Sequence, residues 1–136
     1  MHLYLCLDPN GGLRFNRRRQ SRDSAVCEDI LRCANGAPLH MTEHSSKLFS
    51  DAGTNIICSE TPLERAESGE HCFAECLPLS PFLERFETIT VYRWNRAYPA
   101  DEKLDFDPIN AGFALKSTVE FAGTSHEIIT KEVYTR

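Results

Sequence analysis

No stretch of this chain reaches the roughly 18 consecutive apolar residues that a membrane-crossing helix needs, and it contains no C-x-x-C pair, no internal repeat and no low-complexity linker. A helical membrane protein, a paired-cysteine zinc site and a repeat architecture are thereby excluded. Positive charge is in deficit: 15 Lys and Arg stand against 20 Asp and Glu, for a net charge of −5. That balance argues against broad nucleic-acid binding, although a local patch could still contact RNA. The opening "MHLYLCLDPNGG" lacks the basic flank and small-residue cleavage site of a secretory signal. A cytoplasmic protein with no membrane partner is expected.

What is present suits one globular domain. At 136 residues, 41% hydrophobic and 26% charged, the chain can bury a core but is short for two, so residues 1–136 are read as a single domain. Cys6, Cys27, Cys33, Cys58, Cys72 and Cys76 lie in core-like segments of a chain large enough to do without staples, which favours reduced thiols over disulfides. His71, Cys72 and Cys76 in "HCFAEC" are the alternative, a metal site, but their spacing matches no zinc pattern and no metal is expected.

The hydrophobic pattern alternates strands with helices. "LYLCLD" (3–8) reads as a strand ended by the turn cluster "PNGG". Asp23 is placed to cap a helix over 24–34, where Val26, Ile30, Cys33 and Ala34 form one apolar stripe, and "NG" stops it. "APLHM" predicts a strand, Thr42 caps a short helix from about 43 to 50 ending by Gly53, and "NIICSE" and "EHCFAE" predict two more strands. A short helix starts near Pro81. "ETITVYRWN" reads as a long strand setting Ile89, Val91 and Arg93 against Thr90, Tyr92 and Trp94. "GFALKSTVEFAG" and "HEIITKEVYT" form a terminal hairpin. The expected fold is α/β: a mixed, mainly parallel central sheet flanked by helices, with a C-terminal antiparallel β-hairpin.

That order resembles the dihydrofolate reductase fold in compact form. "LCLDPNGGLRFN" is similar to the family's first strand and loop, "GAPLHMTEHSSKLF" to its second-helix segment, "TNIICSE" to the strand after it, and "TSHEIITKEVYTR" to its closing strand. A strand and helix of the usual central region are missing near residues 60–70. The resemblance implies a ligand cleft overhung by the loop after the first strand. Its site motifs are not matched. Val26 stands where the family has its pterin-binding acid, leaving Asp23 or Glu28 as the possible acid. Glu43 and His44 replace the basic phosphate-binding pair, and no glycine lies between Cys72 and Phe82 where backbone would approach a dinucleotide. No NADPH and no other cofactor is therefore expected. "GGLRFNRRRQSRD" and "YRWNRAYPAD" also resemble a family of short bacterial proteins of unknown function that often carry the name ribonuclease Z. The His-x-His-x-Asp-His zinc cluster of true ribonuclease Z does not occur here, so that activity is not expected.

"RFNRRRQSRD" (14–23) then stands out, with five arginines in ten positions. Arg17, Arg18, Arg19 and Arg22, with Asn16, Gln20 and Ser21, offer forked donors for an anion just before a helix N-terminus. Against this, exposed charge runs are usually solvated faces paired loosely with acids elsewhere. Arg14 precedes the run and Phe15 is expected to pack inward. Trp94 is read as core, His40 as a satisfied core histidine, and Ser125, His126 and Glu127 as neighbours on opposite faces rather than a relay. Three functions stay open: a binding module for a phosphorylated small molecule or nucleotide, an enzyme acting on a pterin or nucleotide through Asp23 or Glu28, and an interaction subunit contacting acidic protein or RNA.

Overall fold

Leucines recur at every second position of the first strand, and they set it at the middle of the molecule. In a computed structural model describing residues 1–49 and 55–136, β1 (His2–Leu7) pairs in parallel with β6 (His71–Phe73) on one side and β7 (Thr88–Arg93) on the other. Leu3, Leu5 and Leu7 join Cys72, Ile89 and Val91 in the core on one face. Tyr4 joins Phe73, Tyr92 and Trp94 on the other, under the Val26 and Ile30 stripe of α1 (Ser24–Ala34). A strand covered on both faces reads as a continuous apolar run, as parallel strands do.

β4 (Leu39–Met41) and β5 (Ile56–Cys58) extend the parallel sheet beyond β6, and the hairpin of β9 (Ala114–Phe121) and β10 (Ile129–Thr135) closes the other side. The order is β5-β4-β6-β1-β7-β10-β9, with β10 antiparallel to both β7 and β9. The mixed, mainly parallel sheet and its antiparallel terminal pair are thus present. Apart from the first, the helices are short. α1 spans the predicted 24–34, capped by the Asp23 side chain and ended by Asn35 in the left-handed region, whose N–H donates to Leu31 O. α2 (Glu43–Ser46) starts at the predicted residue under its Thr42 cap. It ends at Ser46, short of the expected residue 50, and Gly53 lies outside the described residues. α3 (Pro62–Arg65) and a 3-10 helix (Ser80–Arg85) make one or two turns each. None of the described helices is long and apolar enough to cross a membrane.

The main departure is at the arginines. β2 (Gly12–Phe15) and β3 (Arg18–Arg19) form an antiparallel hairpin where a loop was expected, and β8 (Glu102–Lys103) pairs with β2 to complete a second, three-stranded sheet. The two-residue turn puts Asn16 at φ 52° and Arg17 at φ 61°. Both angles belong to the primed turns that match strand twist, a geometry for which Asn-Gly is the preferred pair. A non-glycine residue at the second position carries a steric cost. Replacing Arg17 by glycine should therefore raise stability by about 0.5–1 kcal/mol after the entropic cost of glycine is subtracted. Urea unfolding of Arg17→Gly checks this, and a loss of stability would contradict the turn geometry.

Candidate functional site

Open α/β sheets hold ligands beyond the carboxyl ends of their parallel strands, and in this molecule the buried carboxylate Asp8 and the Arg19–Glu75 pair lie at that edge. Asp8, just past β1, is 1% exposed. Its Oδ1 accepts from the backbone N–H of Asn10 and Gly12, and its Oδ2 from Gln20 Nε2 and Tyr98 N. Burial opposes the charge, but these four donors outweigh it and hold the carboxyl below its ordinary pKa. One carboxylate thus fastens the arginine hairpin and the Tyr98 segment to the end of β1. Gly12 is required there, because a Cβ would lie 2.5 Å from Gln20 Nε2 and 2.9 Å from Asp8 Oδ2.

Arg19 turns inward from the hairpin. Its Nε and Nη2 donate to Glu75 Oε2 and Oε1 at 2.8 and 2.9 Å, a bidentate pair. The two side chains are 21% and 13% exposed. Ser45 Oγ, which accepts from the Thr42 hydroxyl, donates to Glu75 Oε1 at 2.6 Å. The pair separates two recesses of opposite character. On the hairpin side, Phe15, Asn16, Arg18, Arg19, Gln20, Tyr98 and Pro99 enclose about 350 Å3 with no carboxylate among them. On the other side is a cleft of about 330 Å3 between α2, α3 and the segment after β6, with Glu60, Glu64 and Glu75 but no Lys, Arg or His among its lining residues.

The sequence-predicted anion residues are therefore divided. Asn16, Arg18, Arg19 and Gln20 share the hairpin recess; Arg17 and Arg22 are exposed and do not line it, and Ser21 turns away to bond His126. Phe15 is 48% exposed and forms part of the recess instead of packing inward. The N-terminus of α1, expected to share an anion with the arginines, is already served by Asp23, whose Oδ1 accepts from Ala25 N.

Asp23 is also the centre of an arrangement that the sequence did not reveal. Its carboxylate accepts from the backbone N–H groups of Thr124, Ser125 and His126, from Thr124 Oγ1 and from His126 Nδ1. Burial pushes its pKa up, but the hydrogen bonds from Thr124, His126 and Ser125 prevail and hold it well below the usual carboxylate range. An ionised carboxylate only accepts, so Nδ1 of His126 carries its proton toward Asp23, and Nε2 faces Ser21 Oγ and Tyr98 Oη, each at 3.0 Å. Trp94 stacks on the imidazole at 4.6 Å between centroids. Asp23, His126 and Ser21 have the order of a hydrolytic relay, but the crevice beside Ser21 measures about 10 Å3, at most the room for one water. The cluster is a clasp tying α1 to the β9–β10 connection. At Gly123 a Cβ would meet Asp23 Oδ2 at 2.5 Å.

Glu28 lies on the exposed side of α1 and takes no part in this clasp, and Val26 is buried in the core. His71 bonds to Tyr4 Oη, Cys72 is buried on the opposite face of β6, and Cys76 lines the acidic cleft, so the three do not converge. All six cysteines are free, and burial pushes Cys27 to about 11 and Cys72 to about 12, which keeps both as thiols at neutral pH.

Two expected outcomes follow from the buried charges. Removing Arg19 leaves Glu75 uncompensated, so Arg19→Ala should cost about 3 kcal/mol, against under about 0.5 kcal/mol for Arg17→Ala, by chemical unfolding. Because the folded pKa of Asp23 is depressed, its carboxylate contributes fully above about pH 4, where unfolded aspartate is ionised, and loses that contribution as pH falls toward the lower folded value. The stability gap between the protein and Asp23→Asn should be constant above about pH 5 and narrow below about pH 4. A gap that widens on acidification would contradict an ionised Asp23. No protein-family model matches this chain, and a search of curated proteins finds no significant match.

Proposed function

We propose that the chain is a cytoplasmic binding module of dihydrofolate reductase-like fold that takes a phosphorylated small molecule or nucleotide in the arginine-hairpin recess. The observation that carries the reading is the recess's composition. In a chain with five more acidic than basic side chains, it gathers Arg18, Arg19 and two amide side chains and, among the described residues, is lined by no carboxylate; Glu75, Asp8 and Asp101 bond Arg19, Gln20 and the Asn16 N–H without lining it, which leaves Arg18 as its uncommitted cation. Arg18 makes no ion pair among the described residues and is free to grip an anion, while the half-exposed Phe15 adds an aromatic ring of the kind on which bases stack. The parallel sheet closed by an antiparallel terminal pair supports the fold assignment, as does the position of the recess past the end of β1. An enzyme using Asp23 or Glu28 as its acid has less support: the first is ionised and engaged on every side, the second faces solvent. An interaction subunit would use the exposed Arg17 and Arg22 equally with Arg18, which separates it from a site in the recess.

Calorimetric titration with ADP, adenosine and inorganic phosphate tests the proposal. ADP should bind more tightly than adenosine, and Arg18→Gln should weaken it about tenfold or more, the loss of one charge-assisted contact. Arg22→Gln should change it less than about threefold. Absence of saturable binding, or equal losses in the two variants, would overturn the reading.

A further inference from the structure

We infer that the second cleft is a separate site for a small organic cation, a protonated amine carried on an apolar body. The cleft lies beyond the carboxyl ends of β4, β5 and β6 and, at about 330 Å3, falls within the size range of small-molecule sites. Its walls are Leu63, Phe73, Leu77, Pro78 and Phe82. Leu63, Leu77 and Phe82 pack against the buried core and Phe73 belongs to it, so the floor is backed by packed side chains. Pro62, Pro78 and Pro81 stiffen the chain around the mouth.

The charge at this site has one sign. Glu75 is neutralised by Arg19 and hydrogen-bonded by Ser45, but among the described residues Glu60 and Glu64 form no ion pair and no cation lines the cleft. An apolar floor with two unpaired carboxylates at its rim is complementary to an ammonium group on a hydrocarbon or aromatic frame. The same carboxylates repel phosphate, so this ligand is not the one assigned to the arginine recess, and the inference does not depend on that assignment. Thr42, Ser45 and Thr61 add hydroxyl groups to its lining.

Three probes of nearly one shape and different charge test it: 2-phenylethylammonium, 2-phenylethanol and 3-phenylpropionate, titrated by calorimetry at low ionic strength. The ammonium probe should bind about fivefold or more tightly than the alcohol, and the carboxylate should be the weakest of the three. The double variant Glu60→Gln, Glu64→Gln, altered at exposed positions, should bring the ammonium probe to the alcohol's affinity and leave the alcohol unchanged. Phe82→Ala should weaken both. Equal binding of all three probes, tighter binding of the carboxylate, or no binding of the ammonium probe at 10 mM, on the order of the weakest affinity worth the name for a specific site, would overturn the inference.

Discussion

The bidentate bond between Arg19 and Glu75 holds together the edge of this molecule beyond the carboxyl ends of its parallel strands. A hairpin whose second strand is only Arg18–Arg19 has little stability of its own, so its position must come from what it grips. Arg19 reaches across to the segment after β6, Arg14 bonds Glu102 on β8 at 2.9 Å, and Gln20 bonds Asp8. The arginines of this acidic chain are therefore not one functional unit. Arg14 and Arg19 hold the small sheet in place, Arg17 occupies a turn, and Arg18 is left facing the recess. The same ion pair forms the partition between a cationic and an anionic recess, and so keeps two opposite fields a few side chains apart.

Two buried carboxylates do for the neighbouring loops what Arg19 does for the hairpin. Asp8 and Asp23 are almost fully buried, and each is surrounded by backbone N–H donors. A buried charge is tolerable only when so satisfied, and once satisfied it fixes every segment that supplies a donor. Asp8 joins the start of the hairpin to Tyr98, and Asp23 joins α1 to residues 124–126. With its loops fastened in this way the recess is held in one shape, and a ligand of the proposed kind would meet a lower ordering cost.

Local pattern made much of the sheet legible. Leu3, Leu5 and Leu7, and the alternation of Ile89 and Val91 with Tyr92 and Trp94, announce strands by period, and Asp23 before an apolar stripe announces α1. The hairpin at 12–19 was hidden because its turn is Asn-Arg rather than Asn-Gly and its second strand, Arg18–Arg19, is too short to show a period. The site depends on contacts that no local pattern encodes. Arg19 meets Glu75 across 56 positions, and Asp23 meets His126 across 103. Pairing of that kind is decided by how β6 and the β9–β10 connection are brought beside β1, which is a property of topology. Charge counts in the sequence found the arginines but could not say that one of them is committed to an internal carboxylate.

Nuclear magnetic resonance of the protein during titration with ADP examines the central claim most directly, since arginine Nε–Hε and aromatic ring signals report each side chain separately. The signals of Arg18, Phe15 and Tyr98 should shift together and saturate at one ligand per chain, with Arg17 and Arg22 nearly unmoved. Shifts spread evenly over Arg17, Arg18 and Arg22 without saturation would mean that the hairpin is only a charged surface.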